Sequence, residues 1–327
     1  MLIDMLSASL AKSGALEDAW AKLDSGQDAT VGVASSARPF LVAARFVADP
    51  RATLVVTAGE EAAGTFARTV GAFIGEERVL RFPDYEGNPF SVDAPLQPRL
   101  HGRRLEALWS LQQGKPAVVV ASARALLRRI APAKEEVARP LALVAGSDLS
   151  ENPQRGIACF EDLEHCLVTM GYENSGKLDG PGTFCVQGGA IDVFPGNLAY
   201  PVRLDFFGDE LDEIRRFLPS TGQTISSLEQ VDIFPVREFV QTDAALRRAK
   251  RAISKSAETN AAQRDLLERL EDDSRDLPDL MAAYLLEKTA AVGDYLSADA
   301  LTVLIEPRSL VDDAMHAYDE LSKRCVG

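Results

Sequence analysis

Short apolar runs separated by helical periodicities fill the first 130 residues, and this alternation restricts the fold more than any other feature of the chain. Residues 30–34, 53–57, 78–82 and 117–121 each read as a strand, and residues 40–47, 60–74, 100–113 and 123–130 as helices between and after them. Strands alternating with helices pair in parallel, because a parallel return needs a crossover long enough to hold a helix. The outcome is a sheet covered on both faces. Ahead of it, residues 2–24 read as two short amphipathic helices. Leu2, Met5, Leu6 and Leu10 form one apolar stripe, and Leu16, Trp20 and Leu23 the other.

The style changes near residue 137. Residues 140–144 read as a strand and 159–170 as a helix. Extended, glycine-punctuated strands follow over 183–194, and Val202, Leu204 and Phe206 alternate with Arg203, Asp205 and Phe207. Gly208-Asp209 reads as a hairpin turn and Gly188-Gly189 as a bulge or a close backbone approach. This is an antiparallel α+β unit with its own core. Residues 243–287 then read as charged helix, 301–305 as a strand apolar enough for burial in a parallel sheet, and 309–323 as a final helix. The expected architecture is an α/β domain over 1–137, an inserted α+β domain over 138–236, and a return segment over 237–327 that completes the α/β domain.

With 35 basic and 49 acidic residues, the net charge of -14 opposes a surface that wraps nucleic acid, so weak or no DNA binding is expected. Local basic patches remain at Arg99, His101, Arg103 and Arg104, and at Arg124, Arg128 and Arg129. Four cysteines without C-x-x-C spacing argue against zinc and against a disulfide framework. The N-terminus carries Asp4 and no basic flank, so it does not read as a signal peptide, and no apolar run approaches a membrane span. A cytoplasmic protein without membrane contact is expected.

Residues 30–47 hold the strand, loop and helix where a phosphate-binding loop would sit. A working loop reads G-x-x-x-x-G-K-[ST]. Here Gly32 is kept, but Ala37, Arg38 and Pro39 replace the second glycine, the lysine and the hydroxyl that holds magnesium. Proline also removes a donor from the helix N-terminus. Taken by itself the segment better suits an ordinary β–α turn that never bound a nucleotide, since glycine-poor loops are common. The strand at 301–305 adds a second trace. Glu306 stands where a metal-binding acid would follow a Walker B strand, and Pro307 occupies the place of the catalytic base. No cofactor, no metal and no catalytic residue is therefore expected.

Four segments carry a resemblance beyond that loop. They are FPDYEGNPF with RLEAL at 82–108, ARALLRRIAP at 123–132, GYENSGKLDGPGTFCVQGGAIDVFP at 171–195, and VRLDFFGDELDEIRRF at 202–217. In order and spacing the chain resembles the UvrB-like N-terminal region of bacterial transcription-repair coupling factors. It is similar to UvrB as well, but the degenerate loop and the lack of a tyrosine-rich hairpin after Asp84 favour the coupling factors. The resemblance implies a degenerate P-loop, RecA- or helicase-like domain interrupted by a UvrA-binding domain. It implies a non-catalytic module that recruits UvrA to stalled RNA polymerase and restrains a translocase motor. The polymerase-binding module and the ATP-dependent motor would lie outside this chain, whose end just past a helix reads as a truncation.

The resemblance also places the UvrA-binding surface. UvrB carries two arginines in T-F-R-V-R-G; here Thr183 to Gly188 reads TFCVQG, with Cys185 and Gln187 at those positions. Arg203 and Asp205 match a second, retained pair. Residues two apart on a strand share a face, so these four mark the expected surface. A solvated strand face is the plain alternative. Two other functions stay open: a nucleotide-hydrolysing, UvrB-type DNA-binding enzyme, which the loop opposes, and a structural clamp that has lost UvrA, which the missing arginines favour.

Overall fold

The structure is a computed structural model that describes residues 8, 14, 16–85, 96–151, 156–239, 243–255, 261–271 and 282–325. In chain order, α1 (Glu17–Asp24) and α2 (Arg38–Ala48) precede β1 (Thr53–Thr57), α3 (Glu60–Ile74) and β2 (Val79–Phe82). Next come α4 (Pro98–Gln112), β3 (Val118–Ser122), the single turn α5 (Ala123–Leu126), β4 (Leu141–Val144) and β5 (Ser147–Asp148). Helix α6 (Phe160–Thr169) leads into β6 (Glu173–Asn174), β7 (Thr183–Gln187), β8 (Ala190–Val193), β9 (Val202–Phe207) and β10 (Glu210–Phe217). The chain closes with β11 (Thr224–Leu228), β12 (Gln230–Ile233), α7 (Asp243–Ser254), α8 (Ala261–Glu271), α9 (Ala282–Leu285), β13 (Leu301–Leu304) and α10 (Pro307–Cys325). No helix among the described residues is long and apolar enough to cross a membrane.

The chain divides into two compact units. The first comprises Met1–Phe82, Ser110–Ala125 and Leu296–Met315 and holds a parallel sheet in the order β13-β1-β3-β2. Strands β1 and β3 are buried at every position, as their Leu- and Val-rich sequences require of a sheet covered on both faces. On one face Val42, Ala43 and Phe46 of α2 and Ala63, Phe66, Ala67, Val70 and Ile74 of α3 pack on Val55, Val118 and Val120. Helical spacing puts each set on one stripe.

Three expectations need correction here. Residues 30–34 form no strand: Thr30, Val31 and Gly32 are exposed and without regular structure. The segment carries Val31, Val33 and Ala34, but among the described residues no strand pairs with it. Strand β13 is not buried. It is a sheet edge in which half-buried and exposed residues alternate, Leu304 being 52% exposed, because among the described residues only β1 pairs with it. The helix expected over 123–130 lasts one turn, in which the Ser122 hydroxyl accepts the Ala125 N–H; Ile130 has already left it for an antiparallel bridge with Ala290. The stripe Leu2, Met5, Leu6, Leu10 lies outside the described residues, as does the segment 86–95 that follows Tyr85.

The second unit comprises Pro83–Trp109, Leu126–Tyr295 and His316–Gly327. Its main sheet runs β11-β10-β9-β8-β7-β6, antiparallel except for β6–β7, and β4 pairs separately with β12. The core draws on Leu141, Leu163, Leu167, Phe184, Ile191, Val193, Val202, Leu204, Leu211, Ile214, Val231 and Ile233, so the buried residues of this cluster fall between 141 and 236. Period-two alternation puts them on one sheet face. Gly188 sits in the left-handed region, φ 62°, within a two-residue turn from β7 to β8, and the neighbouring Gly189 carbonyl accepts the Phe206 N–H. The close approach expected of the glycine pair is present, as a turn and not a bulge. A second cluster, Phe239, Ala245, Ala249, Ile253, Leu266, Leu270 and Leu285, joins α7, α8 and α9.

A buried polar centre ties distant segments of this unit together. Arg104, fully buried, donates from Nε to Glu238 Oε1 at 2.5 Å and from Nη1 to the Pro83 carbonyl at 2.7 Å. The Tyr85 hydroxyl donates to the same Glu238 oxygen at 2.8 Å, and His101 Nδ1 lies 3.4 Å from it. Burial alone would raise the Glu238 pKa, but the charges of Arg104 and His101 hold it well below the usual carboxylate range.

Candidate partner-binding face

The outer face of the antiparallel sheet gathers the residues that sequence reasoning singled out. Cys185 stands opposite Asp192, and Asp192 opposite Arg203. Arg203 in turn faces Arg215, and Asp205 faces Glu213. Arg203, Asp205 and Phe207 alternate along β9 with the buried Val202 and Leu204, so all three look outward.

The charges on this face are paired within the sheet. Asp192 is buried, and Arg203 meets it with two parallel bonds, Nε–Oδ1 and Nη2–Oδ2, both 2.6 Å. A buried carboxylate needs such a partner, and a bidentate guanidinium is the strongest available. The hydrogen bonds to Asp192 raise the Arg203 pKa still further, so its charge is constant. Asp205 takes a second arginine: Arg215 reaches it from Nε at 3.0 Å and Nη2 at 2.7 Å, and also lies 3.4 Å from Glu213. Arg203 and Asp205 thus share a face without bonding to each other. The outer edge of Arg203 stays open to solvent, its side chain being 32% exposed.

The other two predicted residues differ sharply. Cys185 is 3% exposed, and burial, together with the nearby Asp192 carboxylate, pushes its thiol pKa up, so it is a packing residue and a poor nucleophile. Gln187 is exposed, and its amide reaches back to the Cys185 sulfur at 3.8 Å. One residue was missed. Phe207 is 84% exposed at the tip of the β9–β10 hairpin, just before Gly208, where the tight turn leaves its ring without cover. The signal was an aromatic in the polar register of an alternating strand.

The nucleotide-loop residues come together only in part. Gly32 lies in exposed, irregular chain and Ala37 ends a short 3₁₀ turn. Arg38 and Pro39 begin α2, which has no side-chain cap. Arg38 Nη1 lies 2.7 Å from Glu306 Oε1, and Glu306 adopts a left-handed conformation, φ 54°, just before Pro307 starts α10. A carboxylate therefore already occupies the cation that a phosphate would need, beside a helix start weakened by proline.

Four residues of the basic patches expected from sequence are engaged within the fold, while Arg103 stays exposed. Arg104 is buried against Glu238, Arg128 stacks 3.5 Å over the Tyr85 ring, Arg129 bonds to Thr289, and Arg99 bonds to the Leu198 carbonyl.

Residues 158–239, which include this face, match the UvrB interaction domain family. The chain is 37% identical over 232 residues to a transcription-repair-coupling factor of Myxococcus xanthus, covering 68% of this chain and 18% of that protein. It is 25% identical over 291 residues to that of Bacillus subtilis (strain 168), and 24% identical over 292 residues to that of Staphylococcus aureus (strain Mu50 / ATCC 700699). Each of those alignments covers 84% of this chain and 24% of the relative. The chain belongs with the UvrB-like N-terminal region of the transcription-repair-coupling factors, and spans less than a quarter of the length of these relatives.

Proposed function

We propose that this chain is a non-catalytic recognition module that presents the β7–β10 face to UvrA and so recruits excision repair to stalled RNA polymerase. The observation that carries this reading is the ion-paired face of Arg203 and Asp205 with Phe207 at its edge, inside the segment that matches the UvrB interaction domain. An exposed aromatic beside oriented charges supplies an anchor and a direction to an interface. The polymerase-binding module and the ATP-driven translocase belong to the parts of the coupling factor that this chain does not span. The Arg38–Glu306 pair supports the absence of nucleotide hydrolysis here. Binding of the cognate UvrA, followed by interferometry, tests the reading: Phe207→Ala should weaken it at least tenfold, and unchanged binding would refute it.

A second reading rests on a specific observation. Both retained charges of the face are already satisfied internally, by Asp192 and Arg215. A sheet so closed suits a structural clamp that restrains the motor and has lost UvrA. Arg203→Glu separates the two, because a clamp would show no UvrA binding for that change to remove.

A further inference from the structure

Helix α7 gathers cations that the fold does not use. Its inner stripe, Ala245, Ala249 and Ile253, is buried against α8 and α9. Arg247, Lys250, Arg251 and Lys255 lie on the opposite arc, about 140° wide at 3.6 residues per turn. None of the four is given an ion pair or a side-chain hydrogen bond among the described residues. Arg248, between the two faces, is occupied by the Leu285 carbonyl. The helix carries one acid, Asp243, in its first turn.

The chemistry around the strip selects its partner. Protein interfaces are anchored by apolar and aromatic side chains. Among the described residues the exposed large hydrophobics are Val31, Leu127, Val144, Tyr200, Phe207, Ile225, Leu304, Val311, Met315 and Tyr318, and none of these lies on α7, α8 or α9. A phosphate backbone needs no such anchor, only cations that release its counterions. Along α7 the cations of the Arg247, Arg251, Lys255 row recur every ~6 Å, so the row can follow the phosphate backbone of one DNA strand.

We propose that α7 is a sequence-independent contact for the phosphate backbone of duplex DNA, separate from the partner face and independent of the reading given for it. Four contacts make the binding weak and steeply dependent on salt, with a slope of log K against log salt near -3.6 and a loss of roughly 100-fold between about 50 and about 200 mM. Fluorescence anisotropy of a labelled mixed-sequence duplex, titrated with the whole chain over that range, measures both. Arg247→Gln, Arg251→Gln and Lys255→Gln together should weaken binding more than tenfold at the lowest salt and flatten the slope by about 2.7. The exposed positions leave the melting curve unchanged, and Arg247→Lys with Arg251→Lys should retain most of the affinity. No binding at the lowest salt, equal binding by the triple variant, or capture of poly-glutamate in place of DNA each overturns the proposal.

Discussion

The guanidinium of Arg38, the first residue of α2, lies 2.7 Å from the carboxylate of Glu306, which follows β13. In sequence these residues stand at the positions of two degenerate nucleotide motifs, and in space each is the other's counterion.

The first prediction follows from that pair. Calorimetric titration with ATP and magnesium should show no stoichiometric site. A micromolar site abolished by Arg38→Ala would contradict it. The pair is half exposed, so Arg38→Ala should change stability by no more than about 1 kcal/mol.

The buried Arg104–Glu238 pair should behave differently. Removing one partner of a buried pair strands the other charge, so Glu238→Gln should cost about 3–5 kcal/mol at pH 7. The folded pKa of Glu238 is depressed, so its contribution is complete above the ordinary carboxylate value of about 4.3 and is lost as pH falls through the lower folded value. Urea unfolding at a series of pH values should show the gap between the parent and Glu238→Gln constant from pH 7 to about 5 and closing in stronger acid. A gap that widens in acid would contradict the assignment.

Two glycines give opposite expectations. A Cβ at Gly102 on α4 would overlap the backbone of Gly196 and Asn197, whereas one at Gly32 would meet open space. Gly102→Ala should therefore destabilise by roughly 1–3 kcal/mol, and Gly32→Ala should stay within about 0.5 kcal/mol. A large loss at Gly32 would mean that the loop is held more tightly than its exposure implies.

Residues 138–236 should fold alone, because the buried members of their cluster all lie between Leu141 and Val236, with Leu96 packed against it from outside. An isolated fragment should unfold cooperatively in urea with native-like circular dichroism. A fragment lacking a transition would make the flanking segments part of its core.

The partner face admits a gain of binding as well as a loss. Gln187 is exposed and Cys185 is not, so the two lost arginines are not equivalent sites. Gln187→Arg should tighten UvrA binding if the partner keeps its acids. Cys185→Arg should instead lower the melting temperature, because the new guanidinium is overpacked and competes with Arg203 for Asp192. Equal effects of the two changes on binding and stability would contradict this ordering.

Much of the fold was legible because local and tertiary preferences agree. The Leu- and Val-rich β1 and β3, the helix 60–74 and the alternation of Val202 to Phe207 all kept their places. Failures arose where a partner element decides. Val303 and Ile305 are apolar enough for a central strand, yet β13 is an edge, and no single strand's composition records its neighbours. The segment 30–34 is apolar at Val31, Val33 and Ala34, and its composition does not record that no described strand pairs with it. At the face, the alternation of Arg203, Asp205 and Phe207 was visible, but Asp192 and Arg215 were not, since cross-strand register depends on turns and bulges. The cations of α7 were visible as charge, and only their burial pattern separated them from those spent on folding.

The burial of Cys185 has a practical consequence. Its thiol is shielded beneath the same sheet face that Arg203 and Asp192 close, so an alkylating reagent can reach it only when those strands part. The protein thus carries a built-in chemical clock: the labelling rate at this one cysteine, read by mass spectrometry, reports how often these strands part.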